Sequence, residues 1–293
     1  MADYKRAMYF EKLDDTDESK VHCLLCPQDC VIKPGTDGAC KARRNIGGEL
    51  YSLNYGRVTS ISLDPVEKKP LSRFHPGSYI LSAGSFGCNL KCAFCQNWSI
   101  SQMEARTNDA SPEMLVKKAA ELKSRGNIGI AYTYNEPFIW YEFVYETAAA
   151  AKKAGLLNVL VTNGFVREDP LRNLLPSIDA MNIDLKSFSD DFYKKICKGS
   201  LEHVKKTIMI AAAAEWCHVE LTTLIIPGLN DSEAEIGETA SWISSISPDI
   251  PLHLSRFFPD YEMRDRPPTP RETLEKAAEI ASKHLKYVYI GNI

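Results

Sequence analysis

The sequence predicts an α/β fold built on a parallel sheet, and three observations carry that prediction. From Ser78 onward, strand-like apolar runs take turns with helix-like runs, and such alternation implies parallel strands joined by right-handed crossovers. The strand-like runs end in polar, glycine-bearing or charged residues, where parallel folds gather their functional groups. The 293 residues, 44% apolar and 25% charged, suffice for a full core, as one large domain or one with a small appendage. Alternation alone leaves a barrel and an open doubly wound sheet both standing.

The candidate strands cover residues 79–85, 128–134, 157–163, 180–186, 218–226, 252–257 and 286–292. Helix-like stretches lie near 112–124, 138–154, 189–197, 201–215, 232–246 and 270–284. Ser111-Pro112 reads as a cap followed by a first-turn proline, and Gly155 as a stop. Thr269 to Glu272, "TPRE", fits a capping box. Ahead of these elements, residues 1–48 are rich in cysteine, proline and glycine and need a metal to hold them. Residues 49–77 read as a β-hairpin turning at Tyr55-Gly56 plus a linker, and 78–293 as the core domain.

A formal charge of −3 argues against a nucleic-acid surface. No apolar run approaches the ~18 residues that span a bilayer, and the opening "MADYKRAMYFEKLDD" carries acids where a secretory leader is apolar. The expectation is a cytoplasmic protein with no membrane partner. In that reducing compartment the nine cysteines are not read as disulfides. They fall into two clusters and two singletons, and Cys197 and Cys217 are read as small buried hydrophobes.

The first cluster, "CLLCPQDCVIKPGTDGAC", places Cys23, Cys26, Cys30 and Cys40 as a complete set of four ligands. Such closed sets hold structural zinc or an electron-carrying iron–sulfur cluster. The second, "GCNLKCAFC", has only Cys88, Cys92 and Cys95. Thiolates select zinc, copper(I) or iron–sulfur clusters, and three on one loop can wrap a face of a cubane and leave one iron open. A zinc site with a distant fourth ligand and three incidental core cysteines are the plainer readings.

Cys88-x3-Cys92-x-Phe94-Cys95 resembles the signature of the radical S-adenosylmethionine (SAM) superfamily. The resemblance implies a partial (βα)6 TIM-like barrel, with the cysteine loop after the strand at 79–85. It implies a [4Fe–4S] cluster whose open iron chelates SAM, reductive cleavage to a 5′-deoxyadenosyl radical, and hydrogen abstraction from a substrate. Phe94 is then the platform for adenine. Glu136, in "TYNEP", stands where the family has Gly-Gly-Glu and accepts from the methionine ammonium, although Tyr134-Asn135 replaces the glycines. By likeness to glycyl-radical-enzyme activases, Lys186 pairs with the SAM carboxylate and Asp184 with its ribose or a substrate group. Thr162, Asn163 and Arg256 complete the expected cofactor contacts.

Each of these residues also has a plainer reading. Glu136 is then a solvated turn carboxylate, Asp184 and Lys186 a mutual surface pair, Asn163-Gly164 a turn, and Arg256 a structural ion-pair partner. Trp98 is read as packing, and His75, His218 and His253 as core or surface histidines.

"CLLCPQDC", "GACKARRN", "GCNLKCAFCQNW", "AYTYNEP", "VTNGF", "NIDLK" and "VYIGN" together resemble the AmmeMemoRadiSam branch, which is similar to pyruvate formate-lyase activating enzymes. Many members continue into a further cysteine-bearing tail, whereas this sequence ends at Ile293, as a short member or a trimmed chain would. The branch implies an electron donor such as a flavodoxin or ferredoxin, and its activase analogy a protein substrate, a glycyl radical enzyme. Modification of another protein or of a small molecule is the alternative within the superfamily. Outside it stand an electron-transfer iron–sulfur protein and a zinc-stabilised binding module.

Overall fold

The structure, a computed structural model, describes residues 4–13 and 19–293. Part of the opening segment read against a secretory leader, including Asp14 and Asp15, lies outside the described residues. Eight strands form the main sheet: Ser60–Pro65 (β1), Tyr79–Gly84 (β2), Asn127–Tyr132 (β3), Leu157–Thr162 (β4), Ala180–Asp184 (β5), His218–Ile225 (β6), Leu252–Arg256 (β7) and Val288–Gly291 (β8). They lie side by side in chain order from β1 to β8. The pairs from β2 to β8 are parallel, and only β1 runs antiparallel, against β2. This is the expected partial barrel with one added edge strand.

The main crossover helices are Pro112–Glu121 (α1), Tyr141–Lys153 (α2), Glu168–Leu174 (α3), Leu201–Ala212 (α4), Glu233–Ile246 (α5) and Arg271–Ala281 (α6). Ser111 Oγ accepts from Met114 N at the start of α1, and Gly155 follows α2 with a positive φ of 65°. The capping box at Thr269 does not form: Pro270 is the cap residue of α6 and makes no side-chain cap bond. Thr269 Oγ1 instead donates to Ile225 O (2.6 Å) and accepts from Phe257 N (3.0 Å), so the hydroxyl is spent between two strand ends. α3 was not anticipated; its seven residues, "EDPLRNL", are too few and too polar to show a helical period.

A hairpin precedes the barrel, but not at Tyr55-Gly56. Arg43–Ile46 pairs with Glu49–Ser52, turning at Gly47-Gly48, whose φ values of 62° and 84° are the left-handed pair such a tight turn requires. Glu49–Ser52 also pairs with Lys5–Arg6, whereas Arg57–Val58 pairs with Asn108–Asp109 and Ser60–Pro65 joins the barrel. The two limbs expected to pair with each other thus belong to different sheets. The boundary expected at residue 48 falls inside the real hairpin.

The inner face of the sheet is closed at its lower end. Val66, Leu71, Phe74, Ile80, Ala131, Val159 and Ala180 form a separate apolar cluster there. Beside it Glu220, fully buried, accepts from the backbone N of Ser72 (3.0 Å) and Arg73 (2.7 Å). Glu220 also bonds His218 Nε2 (2.8 Å) and His253 Nε2 (2.6 Å). Burial pushes this carboxyl up, but the hydrogen bonds from the two histidines and two amides override it and hold it at about 2. His218 and His253 are therefore structural, and the open end of the barrel is the other one.

Candidate functional site

At that open end the strand termini surround a cavity of about 360 Å3, within the range of small-molecule sites. Its lining includes Cys88, Cys92, Cys95, Phe94, Glu136, Thr162, Asn163, Asp184 and Lys186. Register explains the convergence: Asp184 pairs with Thr222, and Leu224 with Ser255, so one layer of side chains faces inward from β5, β6 and β7.

The cysteine loop is braced from several sides. Asn89 Nδ2 donates to Phe165 O (2.6 Å), Lys91 N to Cys197 O (2.8 Å) and Ala93 N to Ile196 O (3.2 Å). Cys88 Sγ lies 3.4 Å from Leu90 N and 3.5 Å from Asn163 Nδ2. Cys95 Sγ shares a hydrogen bond with Ser101 Oγ at 3.2 Å. Burial pushes the Cys88 and Cys95 thiols up, while for Cys92 a hydrogen bond with the Cys197 thiol leads and burial follows. Each must release a proton when it ligates metal. The sequence reads Cys197 as a small buried hydrophobe. It is fully buried but sits against Cys92, a contact that its distance along the chain conceals.

Glu136 is 2% exposed, not a solvated turn residue. Its carboxylate accepts from Phe138 N (3.0 Å), Thr162 Oγ1 (2.7 Å) and Asn163 N (2.8 Å). Burial raises it to about 7 against these donors. Three of its roughly four acceptor sites thus join the ends of β3 and β4. Tyr134 takes a glycine-like conformation, with φ 70°. A bulky residue there is a true backbone outlier. Its hydroxyl donates to Asp64 Oδ2 (2.9 Å), which also receives Lys69 Nζ (2.9 Å), and Lys69 lies over the Tyr134 ring. Glycine is required on the facing strand: a Cβ on Gly84 would meet Thr133 O at 2.5 Å.

Lys186 Nζ bonds Asp184 Oδ2 at 2.8 Å, with side chains 12% and 34% exposed, and lies 5.8 Å from the Phe94 ring centre. Burial opposes the ammonium charge, yet Asp184 and the neighbouring thiols hold it well above its ordinary value. The pair faces the cavity. Arg256 does not: its Nε donates to Thr269 O (2.7 Å), its guanidinium lies over Phe258, and its neighbour Ser255 lines the cavity instead. Strand alternation decides this, because inward Ser255 sends Arg256 outward. Trp98 stacks on Tyr261 (5.4 Å between centroids) and donates to Asp260 (3.2 Å), as its packing role implied.

Residues 84–242 match the Radical SAM superfamily. The chain belongs to the radical SAM superfamily. It is 45% identical to the uncharacterized protein MJ0808 of Methanocaldococcus jannaschii, over 99% of this chain and 85% of that protein. It is 26% identical to the pyruvate formate-lyase-activating enzyme of Clostridium pasteurianum, over 55% of this chain and 67% of the enzyme. The fold is similar to TYW1 with a lysine-pyruvate adduct bound (TM-score 0.53, 17% identity, 80% of this chain and 86% of that one). It is also similar to Streptococcus suis SuiB bound to S-adenosylmethionine (TM-score 0.57, 12% identity, 71% of this chain and 48% of that one).

Superfamily membership implies a [4Fe–4S] cluster and SAM. The residues present fit both, since three thiols on one loop open onto the same cavity as a carboxylate and an ammonium group.

The four N-terminal cysteines lie around one cavity, although among the described residues no three or more His, Cys, Asp or Glu side chains are grouped closely enough to hold a metal ion. Cys23, Cys26, Cys30 and Cys40 line one small cavity together with Arg43 and Ile139. Burial pushes Cys23 and Cys26 up and holds Cys40 at about 11. Among the described residues no helix is long and apolar enough to cross a membrane.

Proposed function

We propose that this chain is a radical SAM enzyme that abstracts hydrogen from a substrate, with an activase-like action on a glycyl radical enzyme as its specific form. The observation that carries the reading is the three-thiol loop facing Glu136, Asp184 and Lys186 across one cavity. Cys88, Cys92 and Cys95 would each ligate one iron. When bound, the reduced cluster supplies the electron that cleaves SAM and releases a 5′-deoxyadenosyl radical. Lys186 holds the SAM carboxylate, and Glu136, through the acceptor site its three donors leave free, receives the methionine ammonium together with the adjoining backbone at Thr133–Asn135, which lines the same cavity. Phe94 carries the adenine, and Thr162, Asn163 and Asp184 complete the contacts. Walls drawn from seven strand ends shield the reacting groups from water and orient them.

The specific form rests on similarity to activating enzymes at 26–28% identity. Modification of another protein or of a small molecule is the competing form. The knuckle from Cys23 to Cys40, ahead of the Arg43–Ser52 hairpin and the core, is in this reading held by a metal, zinc or an auxiliary iron–sulfur cluster. A flavodoxin or ferredoxin is the proposed electron donor, and the cytoplasm the proposed compartment.

The test is anaerobic reconstitution with iron and sulfide, followed by SAM and dithionite. We expect a brown four-iron protein that yields 5′-deoxyadenosine, and loss of both properties in Cys92→Ala. Retained cleavage in Cys92→Ala refutes the ligand assignment. A colourless wild-type protein that does not consume SAM refutes the enzyme. A glycyl radical signal on an added glycyl radical enzyme tests the activase form.

A further inference from the structure

Lys186 stands beyond the sheet. β5 ends at Asp184, so no strand ladder fixes the backbone at Lys186, yet its side chain lines the cavity. Buried side chains from two other segments fix it instead. The Tyr193 hydroxyl accepts from Lys186 N (2.9 Å) and donates to Asp184 O (3.5 Å). Asn230 Nδ2 donates to Lys186 O (2.7 Å) and to Leu224 O (2.8 Å). Tyr193 and Asn230 are both buried, so solvent does not stand ready to replace either partner.

Tyr193 also opens a five-residue π-helical turn, Tyr193–Cys197, a rare winding that gathers at functional sites. The far end of that turn grips the cysteine loop. Cys197 O accepts from Lys91 N (2.8 Å) and Ile196 O from Ala93 N (3.2 Å), so both neighbours of Cys92 hang on it. Gly199 closes the turn, its N donating to Tyr193 O (3.0 Å), and a Cβ there would meet the Leu90 side chain at 2.5 Å. Just before the turn, Phe192 packs against Phe94 with ring centres 5.9 Å apart. One short stretch thus meets the lysine assigned to the SAM carboxylate, the ring assigned to adenine and the backbone on both sides of a proposed cluster ligand.

We infer that the Tyr193–Cys197 turn is a spacer that holds the cysteine loop and Lys186 at one separation, and that Tyr193 and Asn230 are positioning residues that act on SAM through Lys186. Tyr193 does not line the cavity, so its effect is exerted at one remove. A ligand held at the cluster and at Lys186 together binds most tightly when its two anchors are already in place. The inference rests on the SAM reading given above.

The experiment is a double-mutant cycle on the full chain, reconstituted anaerobically: wild type, Tyr193→Phe, Lys186→Ala and the double variant. SAM affinity is read by equilibrium dialysis, with iron content alongside. Tyr193→Phe should bind SAM about fivefold more weakly, the scale of one neutral hydrogen bond, at wild-type iron content. In SAM cleavage the loss should fall on KM rather than on kcat, and the reverse overturns the inference. In the Lys186→Ala background the same change should move affinity by less than about twofold, because the group it positions is gone. Affinity of Tyr193→Phe within about twofold of wild type overturns the inference. So does an equal loss in both backgrounds, which would make the tyrosine a general support. A lowered iron content also overturns it, since the tyrosine would then act on the cysteine loop. If Tyr193→Phe yields no folded protein, Asn230→Ser, which frees Lys186 O instead of its N, goes through the same cycle with the same outcomes. A wild type that builds no four-iron centre, or a Lys186→Ala variant with wild-type SAM affinity, counts against the SAM reading instead, so the two failures are told apart.

Discussion

Replacing Lys186 with alanine separates the cofactor role of this residue from a purely local one. Its Nζ is bonded to Asp184 at 2.8 Å and stands 5.8 Å from the centre of the Phe94 ring, at the cavity wall. If the ammonium binds the SAM carboxylate, alanine removes a hydrogen bond between charged groups, about 1.5–3 kcal/mol. At about 1.4 kcal/mol per factor of ten, SAM affinity should fall roughly 10- to 150-fold. The cost to folding should be smaller. Asp184 keeps 34% of its side chain in solvent, so losing its partner costs on the order of 1 kcal/mol or less. The assay is equilibrium dialysis of SAM against anaerobically reconstituted protein, with iron content and urea unfolding measured in parallel. Affinity within about twofold of wild type, at unchanged iron content, would refute the reasoning and return Lys186 to an ion pair with Asp184. Lys186→Arg keeps the charge but not the point geometry and should fall between.

Three further outcomes follow from the geometry. The Glu220 carboxyl is held at about 2, below its ordinary 4.5, in the folded protein. Its stabilisation is therefore present above about pH 4.5 and lost as the pH falls through about 2, about 3 kcal/mol in all. Urea unfolding of wild type should show that loss, and Glu220→Gln should be less stable at pH 7 by about the same amount; a pH-independent difference of under about 1 kcal/mol contradicts the network. Tyr134→Gly should retain SAM binding while Tyr134→Val loses it, because a β-branched residue at φ 70° costs about 1–3 kcal/mol; equal binding by both variants would show that this backbone does not matter. Arg256→Ala should leave SAM affinity unchanged in the same dialysis, since its guanidinium is spent on Thr269 O; a large loss would restore it to the site.

Much of the site was legible because its chemistry is local. Cys88, Cys92 and Cys95 lie within one short loop, and Asp184 and Lys186 share a face by strand alternation. The same alternation was available for Arg256, but the choice between it and Ser255 needs the absolute direction of β7, which neighbouring strands set through register. Glu136 was found by its place in a motif, yet its bonding to Thr162 and Asn163 was not, because those donors arrive from another strand. The hairpin was misplaced for a related reason. Tyr55-Gly56 and Gly47-Gly48 are both credible turns, and the partner that Glu49–Ser52 selects is decided by which sheet can bury it.

By itself the sequence determined the alternation of elements, the loop of three thiols and the polar character of the strand ends, since each is written in neighbouring residues. Tertiary structure alone decided that Cys197 meets Cys92, that Tyr134 is pinned by Asp64, and that Cys40 O packs against Gly87 beside the cysteine loop. Those contacts join residues far apart along the chain. Their closure depends on how strands and loops pack, and no periodicity or spacing records it.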